Sequence, residues 1–317
     1  MSDRKGFLVV GGAGFIGSHL VDRLIERGFP VTIFDNMSTG SLSNLDHHLR
    51  KRSFQLVKAD ICDVEEIRRT VKRCNVVFHL AAAVDIQRSI RDPSETHRVN
   101  VKGTLNILEA CRKADTELLV YASSCAVYGD KGKGGIEEGA PPRPISPYAV
   151  SKLAAENYCL SFYRTYGLPA ISLRFFNVYG PRQRVGPYAG VVVKFVQRLL
   201  SRKRPIIYGD GDQSRDFVNV QDVVDSCMLC LGRKDAVGQA INIGTGRATT
   251  INNLANLLMR HTGRSELNPI HRPTREGEIQ HSRADIRLAK KLLGYAPKVT
   301  LKEGLRDYVA WFLASGS

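Results

Sequence analysis

The chain has 317 residues, more than one ordinary domain needs and enough for two lobes around a cleft. Hydrophobic residues make up 43% and charged residues 24%, with no apolar run of membrane-span length, so a soluble, cytoplasmic protein is expected. Lys and Arg outnumber Asp and Glu by 46 to 31 (net charge +15), yet like charges never run to five and no basic recognition helix occurs. Small polyanionic ligands account for the surplus, and nucleic-acid binding is disfavoured.

In chain order, Met1 to Lys5 precede an apolar run, Phe7 to Val10, too short for a signal peptide and suited to a buried parallel strand. Gly11-Gly12-Ala13-Gly14-Phe15-Ile16-Gly17 follows at once, then a helix predicted over 18–27, closed by Gly28, and a strand over 31–35 that ends on Asp35. Strand, glycine loop, helix, strand and acid in that order are the dinucleotide-binding fingerprint. The glycines let the backbone turn tightly and bring N–H groups to a pyrophosphate at the helix N-terminus. Asp35, 21 residues after Gly14, can accept both ribose hydroxyls of NAD and would repel the extra phosphate of NADP.

The alternation continues: a strand over 54–58, a helix opened by Asp60-Ile61-Cys62-Asp63, and a strand over 75–80 running into Ala81-Ala82-Ala83. A helix over 101–112 and a strand over 118–123 come next. Asp60 and Ile61 are placed to reach an adenine, with a helix N-cap as the plainer role for Asp60. The small residues after Leu80 allow a ribose and phosphate to come close. The whole reads as a Rossmann-like, doubly wound parallel sheet. Seven scattered cysteines make no disulfide framework, and Cys227-x-x-Cys230 lies in an apolar helical stretch with no second pair, so no metal is expected.

Two segments carry chemistry. One is Tyr121 to Gly129, which starts as a strand and bears Ser123 and Ser124. The other is Ser146-Pro147-Tyr148-Ala149-Val150-Ser151-Lys152, where Pro147 opens a helix predicted to reach Tyr166. Tyr148 and Lys152, four apart, share one helix face. A phenol titrates near pH 10, so a neighbouring ammonium and the positive nicotinamide ring, which favour the phenolate, are expected to make Tyr148 a usable base, with Ser124 sharing a hydrogen bond to the substrate oxygen.

On these residues, together with Arg174-Phe175-Phe176-Asn177-Val178-Tyr179-Gly180-Pro181 and Tyr208-Gly209-Asp210-Gly211 before Arg215-Asp216-Phe217, the chain resembles the extended short-chain dehydrogenase/reductases, and within them the nucleotide-sugar 4-epimerases. The resemblance implies that Tyr148 takes the 4-hydroxyl proton while C4 gives hydride to NAD. The 4-keto sugar then swings about its diphosphate, and hydride returns to the other face. It also implies NAD contacts from Gly11, Gly14, Phe15, Ile16, Gly17, Asp35, Asn36, Asp60, Ile61, Leu80, Ala81, Ala82, Asn100, Ser123, Tyr148, Lys152 and Phe175.

After about Asn177 the alternation loosens and a smaller α/β substrate lobe is expected, with a helix over 191–200 and a strand over 240–243 that returns to the first sheet. The division is residues 1–176 for NAD, with a returning segment near 214–245, and residues 177–317 for the nucleotide-sugar. By resemblance Asn177 and Arg275 hold the diphosphate, Tyr208 flanks the uracil, Arg215 and Glu278 take phosphate and ribose, and Val191, Ser124 and Tyr148 complete the site. Relatives that dehydrate or decarboxylate carry an acid where this chain has Ala126, after Cys125. Ser282 stands where the family gates the sugar's C2 substituent; its small side chain implies that N-acetylhexosamines enter beside plain hexoses. A UDP-glucuronate 4-epimerase, through Arg88 or the loop near Arg184, and a non-catalytic NAD sensor are the alternatives. Leu105 and Leu160 on two outer helices suggest a homodimer by the same resemblance.

Overall fold

The computed structural model describes residues 6–183, 186, 189–274 and 279–315. Its first half alternates β1 (Gly6–Val10), α1 (Phe15–Glu26), β2 (Val31–Phe34), β3 (Phe54–Val57), α2 (Val64–Val71) and β4 (Cys74–His79). Short helices α3 (Ile86–Arg91) and α4 (Pro93–His97) lead through a π-helical turn, Arg98–Lys102, into α5 (Gly103–Lys113), β5 (Leu118–Ser124), α6 (Pro147–Tyr166) and β6 (Ala170–Phe175).

The second half contains β7 (Asn177–Tyr179), α7 (Val191–Leu200), β8 (Ile206–Tyr208), β9 (Ser214–Arg215), β10 (Phe217–Asn219), α8 (Val220–Leu229) and β11 (Ala240–Ile243). It closes with β12 (Thr249–Thr250), α9 (Ile251–His261), β13 (Ile270–Arg272), β14 (His281–Ser282), α10 (Arg287–Leu293) and α11 (Leu301–Ala314). No described helix is long and apolar enough to cross a membrane.

Seven parallel strands form the main sheet in the order β11-β6-β5-β4-β1-β2-β3, the doubly wound arrangement expected from the alternation. Both faces are covered, so the central strands are apolar throughout: Leu8, Val9 and Val10, and Leu119 and Val120, are fully buried. On one face, α1, α8 and α10 supply Leu20, Leu24, Val223, Cys227, Ala289 and Leu293 to a single core with the sheet. On the other, α5 and α6 bury Ile107, Leu108, Ala155 and Cys159. A third core of α7, α9 and α11 packs Phe195, Leu254, Tyr308 and Phe312 under the outer lobe.

Several local expectations shift. The first helix starts at Phe15, directly on the glycine loop, rather than at residue 18. Asp63, not Asp60, caps α2, its carboxylate accepting the Glu66 N–H. Residues 240–243 do return to the first sheet, pairing with β6. The interleaving goes further than expected, because α10 also joins the first core. Cys227 and Cys230 are buried free thiols, the latter donating to the Ser226 carbonyl.

Candidate active site

The carboxyl ends of β1, β2, β4 and β5 converge where the chain reverses its winding, and the site residues gather there. The glycine loop is closed by backbone contact. Gly11 has φ 83°, and a Cβ on it would lie 2.6 Å from the Ala81 nitrogen; one on Gly17 would lie 2.1 Å from the Gly11 carbonyl oxygen. A Cβ on Gly14 would meet only that carbonyl oxygen, at 3.3 Å. Gly14 caps α1 without a side chain, so the first-turn N–H groups remain for an anion. That combination fits a dinucleotide pyrophosphate lying across Phe15 and Ile16.

Asp35 follows at the end of β2. Its carboxylate accepts the Ala13 N–H at 3.0 Å and the Met37 N–H at 2.8 Å, tying it to the glycine loop, while burial raises its pKa. Asn36 donates to Asp60 at 3.2 Å, and the Cys62 N–H donates to Asp60 at 2.8 Å. Burial opposes ionisation of Asp60, but these donors and Arg98 hold its carboxyl below the usual range. Ile61 is buried against Gly103, where any side chain would collide with it. The N–H groups of Leu80 and Ala81 both donate to the Val10 carbonyl, at 2.8 and 2.9 Å, which anchors the 80–82 turn beside the glycine loop.

Two residues expected to touch the cofactor have their side chains engaged elsewhere. The Asn100 amide exchanges two hydrogen bonds with the Ala83 backbone, 2.7 and 3.0 Å, and donates to Ser151 at 2.9 Å. It therefore shapes the turn after β4. Ser123 donates to Glu156 at 2.6 Å behind the sheet, because strand alternation turns Ser123 away from Ser124. Phe175 is buried in the first core.

Tyr148 and Lys152, the pair expected to be catalytic, are both carried on α6. Pro147 sits in its first turn and the Ser146 hydroxyl accepts the Ala149 N–H, so the helix begins just ahead of Tyr148. Ser89, buried on α3, accepts the Tyr148 N–H at 3.1 Å and pins that end. The Tyr148 phenol lies near the Ser124 hydroxyl at the end of β5, and that hydroxyl accepts the Ala126 N–H at 3.2 Å.

Burial dominates the electrostatics of the pair. Burial pushes the Tyr148 phenol up to about 12, with the neighbouring Ser124 hydroxyl opposing. Lys152 is itself buried and held down to about 7, with Nζ 4.4 Å from the centre of the Tyr121 ring. Both groups lose hydration faster than they gain from each other.

Four supporting residues carried no sequence signal. Tyr121 holds the Lys152 ammonium on its ring face. His79 lies under that ring and contacts Thr104 at 2.9 Å. The Thr104 hydroxyl donates to the Asn100 carbonyl, so His79 Nε2 must donate to it; burial holds the ring neutral, down to about 3. Glu156 and Arg174 form a buried two-pronged ion pair at 2.6 and 3.0 Å directly behind Ser123. Glu156 lies one turn beyond Lys152 on α6, and only the packing of α6 on β6 brings it against Arg174.

Across the cleft, β14 runs beside β9 with Ser282 opposite Arg215. Ser282 is 4% exposed and lies near the Cys125 thiol, which burial pushes up to about 11. Cys125 thus lies between Ser282, Arg215 and Tyr148 as an un-ionised packing group. Asn177 on β7 pairs through its backbone with Asp216, and its Nδ2 is buried with no partner among the described residues. A buried donor without an acceptor is costly, and a phosphate oxygen would satisfy it. Val191 opens α7, whose cap Gly190 supplies no side chain. Tyr208 ends β8, and its carbonyl accepts from Gln213 at 2.6 Å. Arg215 donates to the Ser214 and Gln280 carbonyls at 2.9 and 3.2 Å. Arg88 is exposed on α3. Arg184, Arg275 and Glu278 lie outside the described residues.

Residues 7–244 match the model of the NAD dependent epimerase/dehydratase family. The chain belongs to that family. It is 41% identical over 307 residues to a putative UDP-glucose 4-epimerase of Methanocaldococcus jannaschii, covering 96% of this chain and 97% of that protein. The crystal structure of a UDP-glucose 4-epimerase with UDP-glucose from Thermotoga maritima superposes with a TM-score of 0.92 at 40% identity, covering 98% of this chain and 99% of that one. A UDP-N-acetylglucosamine 4-epimerase from Methanobrevibacter ruminantium, in complex with UDP-N-acetylmuramic acid, gives 0.93 at 35% identity over the same shares. The family member is an NAD-dependent enzyme, and the donor set around Gly14, Asp35 and Asp60 fits that cofactor.

Proposed function

We propose that this enzyme interconverts UDP-hexoses by 4-epimerisation and accepts UDP-N-acetylhexosamines as well. The observation that carries the reading is the convergence of Tyr148 and Lys152, one helical turn apart on α6, with Ser124 at the carboxyl end of β5. When bound, NAD would supply reversible hydride transfer at the sugar's C4. Gly11, Gly14 and Gly17 leave the backbone open to its pyrophosphate, and Asp35 takes the ribose hydroxyls.

Tyr148 removes the 4-hydroxyl proton, with Ser124 sharing a hydrogen bond that holds the reacting oxygen in line. A phenol that burial holds near 12 needs help to ionise, and the buried Lys152 ammonium, when protonated, supplies the compensating charge. When the 4-keto sugar presents its other face, the same phenol returns the proton. Asn177, the start of α7 at Val191 and Arg215 would hold the diphosphate, with Tyr208 against the uracil. Arg275 and Glu278 complete that set by resemblance. The lobe division at residue 176, with 214–245 returning, follows the same roles.

Ala126 in place of an acid supports epimerisation over dehydration or decarboxylation. Ser282, buried near Cys125, is the small residue at the position that gates the C2 substituent by resemblance, and its size favours entry of an N-acetyl group. A UDP-sugar panel incubated without added cofactor tests this. UDP-galactose and UDP-GalNAc should both be converted to their 4-epimers. Conversion of plain hexoses alone would refute the role of Ser282, and conversion of UDP-glucuronate alone would refute the substrate class.

The compartment is proposed to be the cytoplasm, and the assembly a homodimer through α5 and α6. An outer surface bearing Val150 at 52% and Tyr158 at 41% exposure, beside a cavity of about 830 Å³ lined by His97, Ile145 and Val150, supports the dimer.

A further inference from the structure

Away from the cleft, three side chains converge that the reaction does not use. Asp22 lies on α1, and His47 and His48 lie in the turn Asp46–His48, in the segment that follows Asp35. The two rings stand 3.9 Å apart centre to centre, and both aim Nε2 at one oxygen of the Asp22 carboxylate, at 2.9 and 2.7 Å. The other carboxylate oxygen is held at 2.8 Å by Arg182, from the turn after β7. Two Nε2 atoms and one carboxylate oxygen thus lie within 4.8 Å of one another.

We propose that Asp22, His47 and His48 form a site for a zinc-class divalent cation that staples the segment after Asp35 to α1. The donor chemistry selects the class, since two imidazole nitrogens with one carboxylate suit zinc and its neighbours, whereas magnesium and calcium prefer oxygen alone. The geometry is close: zinc sits about 2.0 to 2.1 Å from such donors, which places tetrahedral donors roughly 3.3 Å apart. The two nitrogen–oxygen separations, 2.7 and 2.9 Å, lie about half an ångström short of that, and the two nitrogens lie within 4.8 Å of each other, so small side-chain shifts bring the donors to that spacing.

Arg182 already fixes the orientation of the carboxylate, the support that ligating carboxylates ordinarily receive. His48 is nearly buried and Asp22 mostly so, while His47 is half exposed, leaving a solvent-facing position for water as a fourth ligand. The staple would join chain positions 22 and 47–48. The joined segment also donates from Asn44 to the Ala13 carbonyl at 2.9 Å, so the ion would brace the outer wall of the glycine loop without touching Tyr148.

The test uses the untagged, NAD-loaded enzyme, stripped with chelator and titrated with zinc chloride against a chromophoric indicator. One strong site per chain is expected. Cobalt substitution should give visible ligand-field bands with no thiolate charge-transfer band, separating this site from the free cysteines. H47A and D22N should abolish the stoichiometric site, R182Q should weaken it about 10- to 100-fold, and C62S should leave it unchanged. The half-exposed His47 makes H47A the variant least able to unfold the chain, and its melting curve without metal should match the wild type. Absence of a strong site, a thiolate band, or undiminished binding in H47A would each overturn the proposal.

Discussion

Replacing Glu156 by Gln tests how the catalytic helix is held. The Glu156 and Arg174 side chains are 1% and 9% exposed, and the pair makes contacts of 2.6 and 3.0 Å. Glu156 also accepts from Ser123 at 2.6 Å, and Arg174 also donates to the Tyr128 hydroxyl at 2.6 Å and the Glu138 carbonyl at 3.0 Å. Glutamine keeps the shape but strands the guanidinium charge and turns one acceptor into a donor facing N–H or O–H groups. Breaking one side of a buried pair costs about 3–5 kcal/mol, a large share of the roughly 5–15 kcal/mol that holds a native protein.

Equilibrium unfolding in urea, with NAD saturating, should therefore show E156Q far less stable than wild type. R174M should be comparably weakened. E156L/R174M should recover much of the loss, because no charge is then left buried. Lys152 feels the same carboxylate one turn away, and its pKa should fall further in E156Q. A loss below about 1 kcal/mol in E156Q, or strictly additive effects in the double variant, would refute the account.

Tyr148→Phe should leave NAD bound and lower turnover about 10²- to 10⁴-fold, the usual worth of general acid–base catalysis; a near-normal rate would remove Tyr148 from the mechanism. Lys152 sits near 7 when folded and 10.5 in its ordinary state, so between those values the unfolded chain holds a proton that the native one has lost. Stability from this group accordingly rises from pH 7 toward 10.5 and is lowest below 7. Lys152→Met should thus melt higher than cofactor-free wild type near pH 6, with the gap closing by pH 10; a gap independent of pH would contradict the burial of a charge. Ser282→Tyr places a ring beside Cys125 and should abolish turnover of UDP-GalNAc while sparing UDP-galactose, measured as the ratio of kcat/KM.

The sequence alone determined the dinucleotide fold and its strong residues, because those are local. The strand, glycine loop, helix and acid of residues 7–35 are set by backbone geometry within one βαβ unit, and Tyr148 and Lys152 share a face through helical spacing alone. Ser146 and Pro147 announced where that helix starts, and the structure begins it there.

Contacts between distant segments were not legible, since no periodicity marks them. Arg174 meeting Glu156, Lys152 resting on Tyr121, Ser282 meeting Cys125 and both imidazoles meeting Asp22 each depend on how strands and helices stack. The electrostatics depended on the same stacking. Spacing placed an ammonium beside Tyr148, but how far each group is buried is decided by everything packed around the pair. The chain's own order named the reacting groups; only the tertiary structure decided their charge, because water is excluded by the whole fold and not by any one segment.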